Sequence, residues 1–281
     1  MRTSLVIILA ALCAAGCAGP DPTDDKYNDG TAIPYDHHVL PDNKLCLPDI
    51  DGEVEWDEVN FISGLGYDVV VNPPGTVAKL DPIGRQVDGK QEWDFSAVDG
   101  VVVHMKVEKV SDFWFAKYFP EGDIAMGSTA KADTLQILDI DDGEQNVKLL
   151  GFASREPEKT LTIYDPPIVA MKFPMKVGQR FTSCGKTKEG SKVNNLSVYT
   201  EDCYDIAINQ EGKLRLPHLK LSRVLLIETQ VTIKTLGGVT TRTRQLQWFA
   251  ECYGEVVRAL SQADEPDVLF TEALELRRLS L

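Results

Sequence analysis

From Cys46 onward the chain alternates short β-prone runs with Gly, Pro, Asn and Asp, and this alternation most restricts the folds open to it. Runs rich in β-branched and aromatic residues between turn residues predict strands, and no long amphipathic helix pattern competes with them. We therefore expect an all-β, mostly antiparallel fold: a curved sheet or half-barrel, or a sandwich-like meander, with at most short helices. The predicted strands are 67–72, 101–108, 134–140, 147–154, 161–164, 169–173, 197–209, 219–236, 239–250 and 255–261.

The later strands are separated by turn residues such as Glu211-Gly212 and Gly237-Gly238, which indicates an antiparallel meander. A two-residue loop at Gly237-Gly238 fixes a register in which Ile227 and Trp248 are cross-strand neighbours. We expect an N-terminal β region at 46–155 and a C-terminal antiparallel β region at 156–281, with one domain over 46–281 as the alternative. Residues 264–281 suit either a helix or a further strand.

The first residues predict a signal peptide covering 1–16. Arg2 supplies the positive end, and an apolar stretch of about 11 residues follows it. That stretch is too short for a membrane span, which needs roughly 20 apolar residues.

Small residues precede Cys17, and this junction resembles the lipobox at which a lipoprotein signal peptidase cuts after lipidating the thiol. Ordinary secretion with Cys17 as one more thiol is the alternative. The resemblance implies two or three acyl chains on Cys17, a durable anchor, and Ala18 after the Cys favours the outer membrane. Residues 17–45 are polar and rich in Pro, which predicts a flexible tether between lipid and domain.

Cysteine usage agrees with export. Of the six cysteines, Cys13 leaves with the signal peptide and Cys17 carries lipid, so four remain, an even number as expected where disulfides form. Three connectivities are open; we favour Cys184 with Cys203 across an antiparallel hairpin, and Cys46 with Cys252. A zinc site is the rival interpretation, but the sequence has no Cys-x-x-Cys or paired His spacing.

The charge balance excludes one class of partner. The chain has 29 Lys and Arg against 43 Asp and Glu, a net charge of −14, and loss of Arg2 makes the mature chain −15. Nucleic-acid binding needs a basic surface, so we expect no nucleic-acid partner.

An acidic loop gives the strongest metal-binding motif. Asp49, Asp51 and Glu58 match the third, fifth and twelfth positions of an EF-hand calcium loop, with Gly52 at the sixth and Val54 at the eighth, and Glu53 is a further candidate ligand. Leu47 stands where the first ligand should be, and no convincing helix precedes the loop. Calcium binding is one interpretation; a solvated acidic turn is the other, and we expect no other cofactor.

Catalytic motifs are weak. Gly185-Lys186-Thr187 lacks the earlier Gly of a phosphate-binding loop and predicts a solvated turn instead. His104 in a strand is typical of a hydrogen-bonded structural residue, and no nucleophile elbow or zinc-protease motif is present. We therefore expect that the protein is not an enzyme. An envelope hydrolase is the minority hypothesis.

Aromatic residues are densest at 113–119, where Trp114 and Tyr118 fall on one side of a short helix or bulged strand. Core packing is the interpretation we favour, because large apolar residues are usually buried. The alternative is an exposed surface that contacts a lipid or peptide.

Three later segments carry a family resemblance: 173–181 (FPMKVGQRF), 216–224 (LPHLKLSRV) and 248–256 (WFAECYGEV). The second half resembles curved-sheet envelope lipoproteins related to the LolA/LolB lipoprotein carriers, although His218 stands where that scheme often has Gly. Over 46–281 the chain is similar to uncharacterised envelope lipoproteins of myxobacterial type. The first resemblance implies a half-barrel; the second implies a family without an assigned activity.

Together these features predict a lipid-anchored envelope protein that binds a hydrophobic ligand or a protein partner or organises the envelope, without catalysis. A calcium-assisted surface interaction module is the alternative. Fold analogy supplies no function by itself.

Overall fold

The computed structural model describes residues 46, 48–59, 61–129 and 133–280, and it confirms the all-β, mostly antiparallel prediction. Within these residues the helices are all short 3₁₀ segments, at Trp56–Glu58, Val110–Asp112 and Ala116–Tyr118. None of them is long and apolar enough to cross a membrane. The strands are β1 (Glu53–Val54), β2 (Gly66–Val71), β3 (Ala78–Lys79), β4 (Arg85–Val87), β5 (Lys90–Asp94), β6 (Val101–Lys106), β7 (Glu108–Lys109), β8 (Ile124–Gly127), β9 (Thr134–Asp141), β10 (Asn146–Ser154), β11 (Leu161–Lys172), β12 (Met175–Lys176), β13 (Arg180–Thr187), β14 (Lys192–Val193), β15 (Leu196–Ser197), β16 (Thr200–Arg215), β17 (Lys220–Thr235), β18 (Thr240–Ala250), β19 (Gly254–Leu260), β20 (Glu272–Ala273) and β21 (Glu275–Ser280).

The large sheet curves around into a barrel. Antiparallel pairings connect β13, β16, β17, β18, β19, β21, β2 and β6, and β7 continues the circuit through β8, β9, β10 and β11 back to β13. The seams are narrow where β7 meets β8 and where β11 meets β13, because only two residue pairs are in register at each. Strands of both predicted regions belong to this one circuit, since β2 pairs with β21.

The long β17–β18 hairpin has a different register from the predicted one. Its loop contains three residues, because the amide of Gly238 donates to the carbonyl of Thr235 and Gly238 takes a positive φ of 83°. The extra residue shifts the pairing by one, so Trp248 faces Leu226 and Ile227 faces Gln247. Ile227 and Trp248 therefore lie on opposite faces of the sheet, and the prediction that they are neighbours is wrong.

Each face of this hairpin buries its own core. Ile227 and Phe249 belong to a cluster inside the barrel, whereas Leu226 and Trp248 belong to a cluster outside it. The outer cluster includes Trp93 and Phe95 on and just after β5, whose rings contact Trp248 at centroid distances of 6.0 and 4.7 Å. The outer face of these strands is thus covered by other parts of the chain and is not exposed to solvent.

The Glu211-Gly212 pair, predicted to be a turn, lies inside the continuous strand β16. There β5 approaches from the side and pairs in parallel with the end of β16. A Cβ on Gly212 would stand 2.5 Å from the carbonyl oxygen of Gln91, so the position requires glycine for close approach of two backbones. The chain turns later, between Leu216 and Leu219. Near the C-terminus, Glu275–Ser280 is a strand and not a helix.

Two disulfides have the connectivity that we favoured. Cys184 and Cys203 face each other directly across β13 and β16, and Cys46 joins Cys252 in the connection between β18 and β19. The zinc interpretation therefore loses its four thiol ligands.

Candidate functional site

A cavity of about 650 Å³ lies inside the barrel. One side of it is apolar and comes mostly from β8 to β11, where alternate residues point inward because of the period-two geometry of strands. Phe249 and Ile206 continue this apolar lining onto β18 and β16. The apolar lining on β8 to β11 consists of Ile124, Met126, Leu138, Val147, Leu149, Phe152, Ala170 and Met171.

The other side of the cavity is polar and charged. Glu255 and Arg258 on β19 and Arg277 on β21 line it, together with Gln245 and Gln247 on β18. Arg277 donates from Nε and Nη2 to one oxygen of Glu255, at 3.0 and 2.5 Å, and Gln247 donates to the other oxygen at 2.6 Å. Arg258 donates from Nη2 to the side-chain oxygen of Gln245 at 2.6 Å. A hydrogen-bonded ion cluster therefore forms one wall of the cavity.

Two donors of this cluster have no acceptor. Nη1 of Arg277 and Nε of Arg258 are closed off from solvent and make no hydrogen bond. The Arg277 side chain is 4% exposed and that of Arg258 is 11% exposed. An unsatisfied buried donor costs about 1–3 kcal/mol, and more on a charged group, so the cluster is incomplete as it stands.

Burial and neighbouring charge set the ionisation of this wall. Burial acts to raise the pKa of Glu255, but the charges of Arg277 and Arg258 outweigh it and hold that pKa below its ordinary value. Burial, reinforced by the charge of Asp202, raises the pKa of Tyr204 to about 12. Glu255 is therefore ionised, and the hydroxyl of Tyr204, which also lines the cavity, is neutral.

The opening of the cavity carries a histidine–aspartate pair. Leu65, Asp68 and His104 are exposed and line the cavity, and Nδ1 of His104 lies 2.8 Å from Oδ1 of Asp68. Ser280 lines the same opening, but Asp68 lies between it and His104 across three adjacent strands. Strand spacing puts Ser280 and His104 roughly 10 Å apart, so these residues do not form a serine–histidine–aspartate triad, in which the histidine stands between the other two.

An N-terminal strap, residues 48–59, crosses toward one end of the cavity. β1 pairs with β12, Val59 lines the cavity, and the Cys46–Cys252 disulfide attaches the strap to the β18–β19 connection. The backbone amide of Cys252 also donates to the carbonyl of Glu58 at 2.8 Å. The disulfide and this hydrogen bond thus hold the strap against the β18–β19 connection beside the cavity.

The predicted calcium loop lies on this strap, and its four acidic residues separate into two groups. Asp49 and Glu58 come together with Glu251, and their carboxylate oxygens lie within 4.8 Å of one another. Asp51 accepts from the amide of Glu53, and the carboxylate of Glu53 pairs with Lys176 at 2.7 Å. Calcium binding by the loop stays a prediction.

Electrostatics within this acidic group are unfavourable at neutral pH. Burial first, and then the charges of Glu251, Asp49 and Asp51, raise the pKa of Glu58 to about 7. Glu251 is buried and already accepts from Arg223 at 2.8 Å and from the amide of Ile50 at 3.2 Å.

The aromatic run at 113–119 lies on the outside of the barrel against β8 to β11. Phe115 and Phe119 are buried in a separate cluster, which agrees with the core-packing interpretation. Trp114 is half-buried and donates from its indole to the carbonyl of Ser154 at 2.9 Å, while Tyr118 is 37% exposed. Neither Trp114 nor Tyr118 lines the cavity.

Other predicted positions carry little chemistry. Gly185 to Thr187 lie in strand β13, so the predicted solvated turn is wrong there. Cys17 lies outside the described residues. The residues that sequence reasoning missed are Glu255, Arg258, Arg277 and Glu251; the sequence signal for Glu255 and Arg258 is charge within the otherwise apolar strand β19.

No family model, curated protein or solved structure matches this chain. Function is therefore inferred from the residues of the site itself.

Proposed function

We propose that this chain is a lipid-anchored envelope protein that binds one hydrophobic ligand, an acyl chain, inside its barrel and catalyses no reaction on it. The observation that carries the proposal is the cavity of about 650 Å³. Its volume falls within the roughly 300–1,000 Å³ typical of small-molecule sites, and its mixture of a large apolar wall with a few placed polar groups is typical of such sites as well.

Barrel geometry gives a physical reason for the space. Side chains roughly fill an eight-stranded barrel, and the interior widens as strands are added. The circuit of strands that forms this barrel contains more than eight strands. Its interior is therefore too wide for its own side chains to fill. A concave sheet of this kind also fits the resemblance to the LolA/LolB carriers.

A neutral apolar dye tests the binding proposal. The purified protein, stripped of co-purifying lipid, is expected to bind N-phenylnaphthylamine at a single site with enhanced fluorescence. Ala170 lines the apolar wall and is half-buried, so Ala170→Phe fills the cavity and is expected to weaken binding at least about tenfold, or roughly 1.4 kcal/mol.

Ala97→Phe is the matched control, because Ala97 is exposed and lies outside the cavity lining. It is expected to bind the dye as the parent protein does. No binding by the parent protein, or equal binding by Ala170→Phe, would contradict the proposal and favour a surface partner or an envelope-organising role instead.

Anchoring through Cys17 is a separate part of the proposal and is supported by the apolar stretch and the small residues before it. Expression of the chain with labelled palmitate is expected to label the protein and to leave it in the outer-membrane fraction. Cys17→Ser is expected to abolish the label and release the protein; a soluble, unlabelled parent protein would refute lipidation.

A further inference from the structure

The charged wall of the cavity restricts which hydrophobic ligand fits. Among the described residues that line the cavity, Arg277 and Arg258 are the ones with buried donor atoms that lack an acceptor. A guanidinium can donate hydrogen bonds but cannot accept them. The missing partner must therefore be an acceptor, and a purely hydrocarbon ligand leaves both donors unsatisfied.

The acceptors inside this hydrogen-bonded cluster are already engaged. Both oxygens of Glu255 are bonded, one to Arg277 and one to Gln247, and the side-chain oxygen of Gln245 is bonded to Arg258. Two unpaired donors on two adjacent strands, β19 and β21, suit a group with two acceptor oxygens better than a single hydroxyl.

The balance of charge limits the size of the negative charge that the wall accepts. Arg258 and Arg277 both feel the charges of Glu255 and of the buried Glu275. The two arginine charges are thus balanced by two carboxylate charges. The wall has hydrogen-bond donors without an acceptor but little surplus positive charge. A singly charged carboxylate fits this balance better than a doubly charged phosphate.

We propose that the ligand is a carboxylate-bearing amphiphile such as a free fatty acid, whose chain lies along the wall of β8 to β11 and whose carboxylate accepts from Arg277 and Arg258. Since Nη1 of Arg277 and Nε of Arg258 have almost no accessible surface, the proposal requires both guanidiniums to turn toward the cavity on binding. This inference rests on the proposed function and adds the chemical class of the ligand to it.

Calorimetry with a set of ligands of one chain length tests the inference: laurate, dodecanol and lauroyl lysophosphatidate. The stripped protein is expected to bind laurate at least about tenfold more tightly than dodecanol, since a hydrogen bond to a charged group contributes about 1.5–3 kcal/mol. Two variants of the wall follow: Arg277→Lys, which keeps the charge but loses the planar fork, and Arg277→Met with Glu255→Gln, which removes the ion pair as a unit.

Both variants are expected to bind laurate and dodecanol within about threefold of each other, with dodecanol affinity unchanged. Arg242→Met, the same loss of charge at an exposed position of β18, is expected to keep the parent preference. A parent protein that does not distinguish laurate from dodecanol, or a preference that survives in both wall variants, would overturn the inference while leaving acyl binding intact.

Tighter binding of the lysophosphatidate than of laurate would overturn the carboxylate assignment in favour of a phosphate head. Failure of all three ligands to bind would instead overturn the proposed function itself, and the inference with it.

Discussion

The two disulfides close loops of very different length, and this difference gives a quantitative prediction. Cys46 and Cys252 are 206 residues apart, whereas Cys184 and Cys203 are 19 apart. In the chain-entropy model, a cross-link stabilises the fold by restricting the unfolded chain, and the effect grows with the logarithm of loop length. The long loop then contributes about 5 kcal/mol and the short loop about 3 kcal/mol at 25 °C.

Two paired variants isolate these contributions: Cys46→Ala with Cys252→Ala, and Cys184→Ala with Cys203→Ala. Each is expected to lower the free energy of unfolding, the first by about 2 kcal/mol more than the second. Burial also favours a larger loss of stability in the first variant, because Cys46 and Cys252 are 5% and 6% exposed whereas the other two cysteines are half-buried. Urea unfolding followed by tryptophan fluorescence measures both losses.

The m-value supplies an internal check on this account. A chain without the long cross-link is more extended when unfolded and exposes more surface, so its m-value is expected to exceed that of the parent protein. Equal losses in the two variants, or a larger loss for the short loop, would refute the entropic reasoning and place the stabilisation in native contacts of the disulfides.

Four further predictions concern individual sites. Gly212→Ala is expected to destabilise the fold by about 1–3 kcal/mol in urea, because its Cβ would collide with the backbone of β5. Gly237→Ala is expected to stay near the parent value, because its Cβ would meet only Oγ1 of Thr235 at 3.9 Å, an ordinary van der Waals contact. The folded-state pKa of Glu58 is raised to about 7, so its contribution to stability is complete below about pH 4.5 and is lost as the pH rises through 7. Glu58→Gln is therefore expected to be more stable than the parent protein at pH 8 and equally stable at pH 4. If the loop binds calcium, millimolar calcium raises the melting temperature of the parent at pH 8, and no shift there would end that hypothesis. Arg277→Met alone is expected to lose about 3–5 kcal/mol, whereas the double variant with Glu255→Gln is expected to lose far less, and equal losses in the two would contradict this account of the pair.

Strand existence was predictable from sequence for most of the longer apolar strands, whereas the short apolar strand β8 was missed. The predicted strands 134–140 and 147–154 lie within a residue of β9 and β10, because alternation of apolar residues marks the buried face. β4 and β5 were missed since they are polar on most positions, although Asp88-Gly89 between them is a hairpin signal and both residues take positive φ.

Register and the charged wall were not predictable in the same way. The β17–β18 register depended on whether Gly237-Gly238 formed a two- or a three-residue loop, and the sequence permits both. β19 carries a further register shift against β18 beside Trp248. Because each one-residue shift reverses every side chain, no pattern alone could place Glu255 and Arg258 inside the barrel with Arg277.

Stability alone does not account for that placement. Moving a charge out of water is expensive, and buried ion pairs replaced by apolar residues of similar size are often neutral or stabilising. A barrel wall built only of apolar residues would therefore fold at least as well. The described wall instead keeps two arginines whose donors are incompletely satisfied, next to a cavity large enough for a ligand. Desolvated donors of this kind gain most from an acceptor that arrives without water, which is the condition inside a cavity filled by an acyl chain.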